Sequence, residues 1–124
     1  MNQALLESAL ESMLDRFPGV MGCALVDAGS GLVWHRQPQA SFDGLWEASV
    51  DHWRLHQRLG RYFDSAGELG AIVTYHHDAS LVLVPCLKAP DILLVCLARR
   101  GSAIDWVLWQ RDAQQLGRRI KAAM

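Results

Sequence analysis

The sequence predicts an α+β fold of the α/β-sandwich type, in a single domain spanning residues 1–124. Two observations predict it. Residues 70–98 contain three apolar runs of strand length, separated by turns at 76–79 and 88–91 that are short enough only for antiparallel hairpins. Three further stretches carry apolar residues at helical spacing, so helices must cover a sheet.

The chain begins with a predicted helix over residues 2–17 and a predicted β-hairpin. Apolar residues recur on one face of this helix, and the pair Pro18-Gly19 ends it. The next run, residues 20–27, is apolar on both faces, which is typical of a strand inside a sheet. A turn with two glycines then leads to a strand at 32–36 with polar residues at its end, as expected at a sheet edge.

A middle helix, predicted near residues 41–60, carries two apolar faces. Trp46, Val50 and Trp53 form one of them. The other, roughly 145° away at about 100° per residue, contains Leu45, Ala48, Leu55 and Leu59, with His52 among them. A helix that lies on one sheet needs only one apolar face. More of this chain, or another molecule, must therefore cover the second.

The meander follows a connector whose turn-rich composition, at 61–68, predicts a loop. Its three strands are predicted at 71–75, 81–84 and 92–98, and the last two are continuously apolar, as central strands are. Pro85 cannot donate a hydrogen bond to a neighbouring strand. It therefore marks the end of the second strand or a bulge in it.

A last helix is predicted from residue 102 to about 122. Ser102 with Asp105 resembles a capping box in which Asp replaces the usual Glu. The spacing of Trp106 and Trp109 with Ala113, Leu116 and Ile120 predicts a buried stripe rather than a ligand box. The predicted order is α-β-β-α-β-β-β-α, with the terminal helices on one face of the sheet and the middle helix on the other.

Composition argues against several function classes. The net charge is −1, so the chain has no basic excess with which to bind nucleic acid. Residues 1–12 lack the pattern of a signal peptide, and no apolar run could span a bilayer, so we expect a cytoplasmic protein without a membrane partner. The three cysteines, Cys23, Cys86 and Cys96, lie in strand runs and form no C-x-x-C pair, which favours small buried hydrophobes.

The sequence offers no catalytic signature, and we expect no catalytic, cofactor or metal site and no enzyme activity. His52 and His56 have a spacing that can hold a metal, but Trp53 stands where H-E-x-x-H needs Glu, so core or rim histidines are favoured. His76 and His77 lie in a predicted hairpin turn and are expected to be solvated. The position of Ser30 is explained by a glycine turn between two strands. Arg99 and Arg100 are favoured as solvated cations over an arginine finger. The sequence contains no P-loop motif.

The chain resembles the roadblock/dynein-light-chain family, a longin- and profilin-like fold. The resemblance rests on the order of all eight elements and on three hydrophobic patterns: G-V-M-G-C-A-L-V-D with its glycine turn at 19–31, L-V-L-V-P-C-L at 81–87, and I-L-L-V-C-L-A at 92–98. It implies a five-stranded antiparallel sheet with the first and last helices on one face.

The resemblance also implies partners. In that family the middle helix and the strand after it form a homodimer that joins two sheets edge to edge, and members typically bind small Ras-like GTPases or act as scaffold subunits. Mapped onto this chain, the predicted interface consists of Trp46, Val50, Trp53, Gln57, Ala71, Val73 and Tyr75. An open sheet edge needs a cover on physical grounds as well.

Two functional hypotheses lead, and a third is an enzyme whose site is assembled from His52, His56, His76 or His77. The first is a dimeric regulatory or scaffold protein without enzyme activity, which pairs with itself or a related subunit and is expected to bind a partner protein, namely a small GTPase. The alternative is a small-molecule-sensing domain with a pocket between sheet and helix. A pocket would favour the second hypothesis, and an exposed apolar helix face beside an open edge would favour the first.

Overall fold

The computed structural model describes residues 2–39 and 42–124, and in this part of the chain the predicted order of elements is confirmed. The helices and strands are α1 (Gln3–Arg16), β1 (Val20–Asp27), β2 (Val33–Gln37), α2 (Leu45–Arg58), β3 (Ile72–Tyr75), β4 (Ala79–Leu87), β5 (Ile92–Arg99) and α3 (Trp106–Ala123). A 3₁₀ helix, Gly60–Ala66, follows α2.

The five strands form one antiparallel sheet in the order β2-β1-β5-β4-β3. The predicted meander is present, because β3, β4 and β5 follow one another along the chain and are also neighbours in the sheet. The continuously apolar strands β1, β4 and β5 occupy the interior of the sheet, and the shorter β2 and β3 lie at its edges. This placement follows from the two-sided burial that continuously apolar strands require.

Each face of the sheet carries its own core. On one face α1 and α3 pack on the sheet, and their buried side chains include Leu6, Leu10, Trp109, Ala113, Leu116 and Ile120. On the other face α2 packs through Trp46 and Val50 on β1, β4 and β5. The sandwich of helix, sheet and paired helices is the predicted architecture, and the buried stripe predicted for the last helix is confirmed.

Two boundaries in the second half differ from prediction. The stretch at 61–68 is mostly 3₁₀ helix and not a loop. Strand β4 is longer than predicted and runs through Pro85, with a break in register between Pro85 and Leu87. The proline therefore sits at a bulge, where its missing N–H costs no ladder hydrogen bond.

The starts of helices α3 and α2 also differ from the predicted ones. Helix α3 begins at Trp106, because Asp105 itself is the N-cap and accepts a hydrogen bond from the Leu108 N–H at 3.1 Å. Ser102 is no cap; its hydroxyl donates to the Arg99 carbonyl at 2.5 Å, in the turn before the helix. Helix α2 begins at Leu45 after Gly44, and the predicted start near residue 41 lies outside the described residues.

Candidate interaction surface

Helix α2 has the two apolar faces that the sequence predicts. One of them packs on the sheet of the same chain, and the other lies at the surface. The face with Trp46 and Val50 contacts the chain's own sheet, and Trp46 is 0% exposed. The opposite face lies at the surface, where Leu55 is 45% exposed and Leu59 39% exposed. We call this outer stripe, Ala48, His52, Leu55 and Leu59, the α2 stripe; all four of its residues are exposed.

The chain after Trp53 contributes little to either core. No residue in the range 54–68 is buried, and the 3₁₀ helix has no buried residue at all. The His56 ring of α2 stacks on the Phe63 ring of the 3₁₀ helix, with ring centroids 5.2 Å apart and planes at 9°. Tyr62 and Phe63 are both exposed. The segment after Trp53 therefore carries large apolar side chains that the chain itself leaves at the surface.

The two edge strands of the sheet differ in how they are covered. Edge strand β2 carries a register break at Trp34, whose carbonyl accepts a hydrogen bond from Gln3 Nε2 at 3.3 Å. Gln37 Nε2 donates to Glu11 Oε1 at 3.5 Å, so α1 covers this edge. Strand β3, in contrast, pairs only with β4 in the described residues and has no comparable cover on its outer side. A bulge and covering side chains are the usual protection of an edge strand, and within residues 2–39 and 42–124 β3 shows neither.

The seven residues of the predicted interface fall into three groups. Trp46 and Val50 are buried against the sheet of their own chain, and their contact with a partner remains a prediction. Trp53 is partly buried at the rim of the same core. The other four lie at or near the surface, with Gln57 on α2 exposed, Ala71 partly buried, and Val73 and Tyr75 exposed on β3. Their contact with a partner stays a prediction.

A small apolar groove opens beside β3, on the face of the sheet that carries α3. It measures about 220 Å³ and is lined by Ala71, Val73, Tyr75, Ser80, Val82, Trp106 and Gln110. Tyr75 rises at its rim and is 85% exposed. Gln110 Nε2 donates to the Gly70 carbonyl at 3.2 Å and fixes the chain just before the strand. Local sequence patterns do not predict this groove, because Trp106 and Val73 are distant in sequence.

A larger groove of about 660 Å³ lies between the end of α2, the turn after β4 and the end of α3. Trp53, His56 and Phe63 form an aromatic wall, and Arg118 and Lys121 of α3 bring positive charge. Asp64, Asp91 and the ion pair Lys88–Glu68 also line the groove. That pair raises the pKa of Lys88 and lowers the pKa of Glu68. The groove has the size of small-molecule sites in proteins, and its lining carries both signs of charge.

The histidine pairs that the sequence singled out lie on two different elements, α2 and the β3–β4 hairpin. His52 is exposed on the α2 stripe, and His76 and His77 are exposed in the β3–β4 hairpin. Among the described residues, no three His, Cys, Asp or Glu side chains gather where a metal ion could be held. Burial raises the pKa of the Cys23 and Cys86 thiols to about 12 and that of Cys96 well above its ordinary value, so the reactive thiolate is absent at neutral pH.

None of the helices within residues 2–39 and 42–124 is long and apolar enough to cross a lipid bilayer. No protein-family model and no curated protein matches the sequence. Solved structures do match it closely in shape.

The chain is similar to a Roadblock/LC7 domain from Streptomyces avermitilis, at 15% sequence identity and a TM-score of 0.71, over 94% of each chain. It is similar to the gliding protein MglB from Thermus thermophilus, at 18% identity and a TM-score of 0.74, over 95% of this chain and 92% of the other. An MglB structure with a tetrameric arrangement matches at 19% identity and a TM-score of 0.75, over 100% and 96%. The chain thus has the roadblock fold that its sequence resemblance implies.

Proposed function

We propose that this protein is a regulatory or scaffold protein without enzyme activity, which pairs with a second copy and binds a small Ras-like GTPase in the cytoplasm. The GTPase comes from the resemblance to the roadblock family, whose members typically bind such proteins. The pairing rests on this chain's own surface, namely the α2 stripe and the open edge of β3. The solved MglB of similar fold with a tetrameric arrangement supports self-association in general terms.

One observation carries the proposal: the chain carries two kinds of uncovered surface, on two elements that follow one another in sequence. The α2 stripe and the 3₁₀ helix expose Leu55, Leu59, Tyr62 and Phe63, and the next strand along the chain is the uncovered edge. Burying apolar area contributes about 25 cal/mol per Å², and pairing the edge satisfies backbone groups at the same time. A second copy presents the same pair of surfaces, as a two-fold dimer requires.

Replacing Leu55 and Leu59 together by aspartate is expected to weaken self-association strongly, because two carboxylates would be desolvated in the interface. The mass in solution, measured by light scattering over a range of concentrations, should fall from dimer to monomer. Val107→Asp is the matched control, since Val107 is 69% exposed on α3, which packs on the opposite face of the sheet. A parent protein that is monomeric at every concentration would contradict the pairing.

The partner is tested by affinity capture with tagged protein from its native cytosol, with GDP or a non-hydrolysable GTP analogue present. We expect a small GTPase to be retained preferentially in one nucleotide state. Equal retention in both states, or recovery of the protein alone at dimer mass, would contradict the GTPase part of the proposal and leave the fold unaffected.

The 660 Å³ groove favours a second candidate, a small-molecule-sensing domain. Its aromatic side chains and its two cations would suit a small ligand with a flat apolar body and an anionic group directed at Arg118 and Lys121. Thermal-shift screening of organic acids is expected to show a rise in melting temperature for such a ligand. That rise should be lost in an Arg118→Gln, Lys121→Gln variant and kept in Arg119→Gln, because Arg119 does not line the groove. If no organic acid in the screen shifts the melting temperature, this candidate fails.

A further inference from the structure

Helices α1 and α3 present opposite charges on the outside of the molecule. Exposed carboxylates recur at every fourth residue along α1, at Glu7, Glu11 and Asp15. The exposed charges of α3 are all cations, namely Arg111, Arg118, Arg119 and Lys121. The carboxylate of α3, Asp112, is buried and forms an ion pair with Arg16 at the end of α1. The outer surface is therefore acidic over α1 and basic over α3.

These exposed charges are left without ion pairs by the chain itself. Within residues 2–39 and 42–124, neither the three α1 carboxylates nor the four α3 cations take part in an ion pair. Glu11 accepts a hydrogen bond from Gln37 Nε2 at 3.5 Å, which leaves its charge in place. A solvated charge needs no partner. The feature that points to a partner is the match between the two rows.

The two helices run antiparallel, and one contact aligns them. Each is joined by a short connection to a strand, and those strands, β1 and β5, are antiparallel. Arg16 Nη2 lies 2.6 Å from Asp112 Oδ2, so these two residues are level. Counted from this contact, backwards along α1 and forwards along α3, the three carboxylates are level with residues 113, 117 and 121. Each carboxylate thus lies within about 3 Å along the helix axis of the level of a cation, Arg111, Arg118 or Lys121.

We propose that two copies of this chain associate face to face through these helices, with α1 of each copy lying over α3 of the other. The two-fold axis lies between the copies and runs parallel to the helices. This rotation exchanges the sides of the face and leaves the level along the helices unchanged, so the levels within one chain are also the levels across the contact. The occupant of the face is a second copy, because one chain carries both rows at matching levels.

The contact joins three pairs of opposite charge, and the symmetry makes each pair occur twice. Across it, Asp15 faces Arg111, Glu11 faces Arg118 and Glu7 faces Lys121. A two-fold axis perpendicular to the helices, in the plane of the contact, would instead lay α1 over α1 and α3 over α3. Like charges would then face each other along both helices, which is repulsive. The charges therefore select the first orientation.

This contact is separate from the pairing proposed above. It uses the face of the sheet that carries α1 and α3, whereas the α2 stripe lies on the other face. It adds no strand to the sheet and does not rest on the proposed function. Small side chains on the outer side of α1, Ala4, Ser8 and Ser12, are exposed and leave room for a second helix to approach.

The association is expected to be weak and to depend on salt. An exposed ion pair strengthens association by at most about fivefold, so the contact needs its pairs to act together. The Debye length is about 30 Å at 0.01 M salt and about 3 Å at 1 M. The dissociation constant should therefore rise at least about tenfold between these two conditions.

The salt dependence is tested in the Leu55→Asp, Leu59→Asp variant described above, so that pairing through the α2 stripe does not contribute. Sedimentation equilibrium at about 0.01 M and about 1 M salt measures the mass. We expect two chains at low salt and one chain at high salt. A mass that does not change with salt would overturn this contact and leave the pairing through the α2 stripe as it stands.

Charge reversal tests the orientation in the same background. The first variant carries Glu7→Lys and Asp15→Lys, and the second carries Arg111→Glu and Lys121→Glu. Each alone should associate at least about tenfold more weakly at low salt, because its own rows repel. An equimolar mixture should recover the parent affinity, since the reversed row of each variant then faces the reversed row of the other. An unfolded variant could not be restored by mixing.

A matched control separates this contact from general attraction between proteins of opposite charge. Asp43→Lys with Asp78→Lys gives the same net charge as the first variant, and both carboxylates are exposed outside α1 and α3. With a fluorescent label on the second variant, only the first variant should recruit it at low salt. Equal recruitment by the control would overturn the inference, as would a mixture of the two variants that stays monomeric.

Discussion

Replacing Gly117 by alanine is expected to destabilise the protein by about 3 kcal/mol or more, at the upper end of the cost of overpacking a core. A Cβ on Gly117 would lie 1.6 Å from the carbonyl oxygen of Cys86 and 2.7 Å from its carbonyl carbon. Both atoms belong to the backbone of β4, so no rotation of a side chain can relieve the overlap. Helix α3 would have to move off the sheet that it covers.

Helix propensity predicts the opposite sign for this substitution, because alanine stabilises a helix interior by about 1 kcal/mol relative to glycine. The steric term is the larger one at this position. Urea unfolding followed by circular dichroism measures the difference. Gly60→Ala is the matched control, since a Cβ there meets no atom within 4 Å, and this variant should equal or slightly exceed the parent in stability. Parent-like stability of Gly117→Ala would show that α3 does not approach β4 this closely.

Trp46→Ala is expected to cost about 3–5 kcal/mol, as other large aromatic-to-alanine changes in cores do. Its side chain is 0% exposed, and its ring meets the ring of Phe42 edge to face at a centroid distance of 5.8 Å. Removing it leaves a cavity between α2 and the sheet, which the packed strands cannot close. The same urea titration checks this value.

The same variant also distinguishes between two positions for Trp46, packed on the sheet of its own chain or exposed in a partner surface. If Trp46 belonged to a partner surface, its loss would change the mass in solution and leave the free energy of unfolding of the monomer unchanged. We expect a large fall in that free energy instead. Trp53→Ala provides the comparison, because Trp53 is only partly buried and should cost less.

Much of the fold was predictable because it follows from local patterns. Continuous apolar runs identify β1, β4 and β5 as interior strands, since only burial on both faces accommodates such runs. The short hairpin turns then fix which strands are neighbours. The two apolar faces of α2 were predictable for the same reason, from helical spacing alone. Which face points inward was not, because both faces offer enough apolar area to pack on a sheet.

The rest depended on distances that no local pattern encodes. The bulk of Trp46 would have been a usable signal for the inner face, since large rings are expensive to leave in water. The close approach at Gly117 depends on Cys86, a residue of another element, and a helical glycine indicates in sequence only a weak position. The groove beside β3 likewise combines residues from β3, β4 and α3.

The contrast between the two sheet edges determines how far an assembly of these chains can grow. A sheet with two open edges can add copies without end, and the product is a fibre. Here the register break at Trp34 and the hydrogen bonds from Gln3 and Gln37 block one edge, so growth is possible on one side only. If two such chains pair through β3, the open β3 edge of each copy is covered by the other. In the proposed dimer the paired sheet would therefore end after two chains, because the β2 edge of each copy is covered by α1.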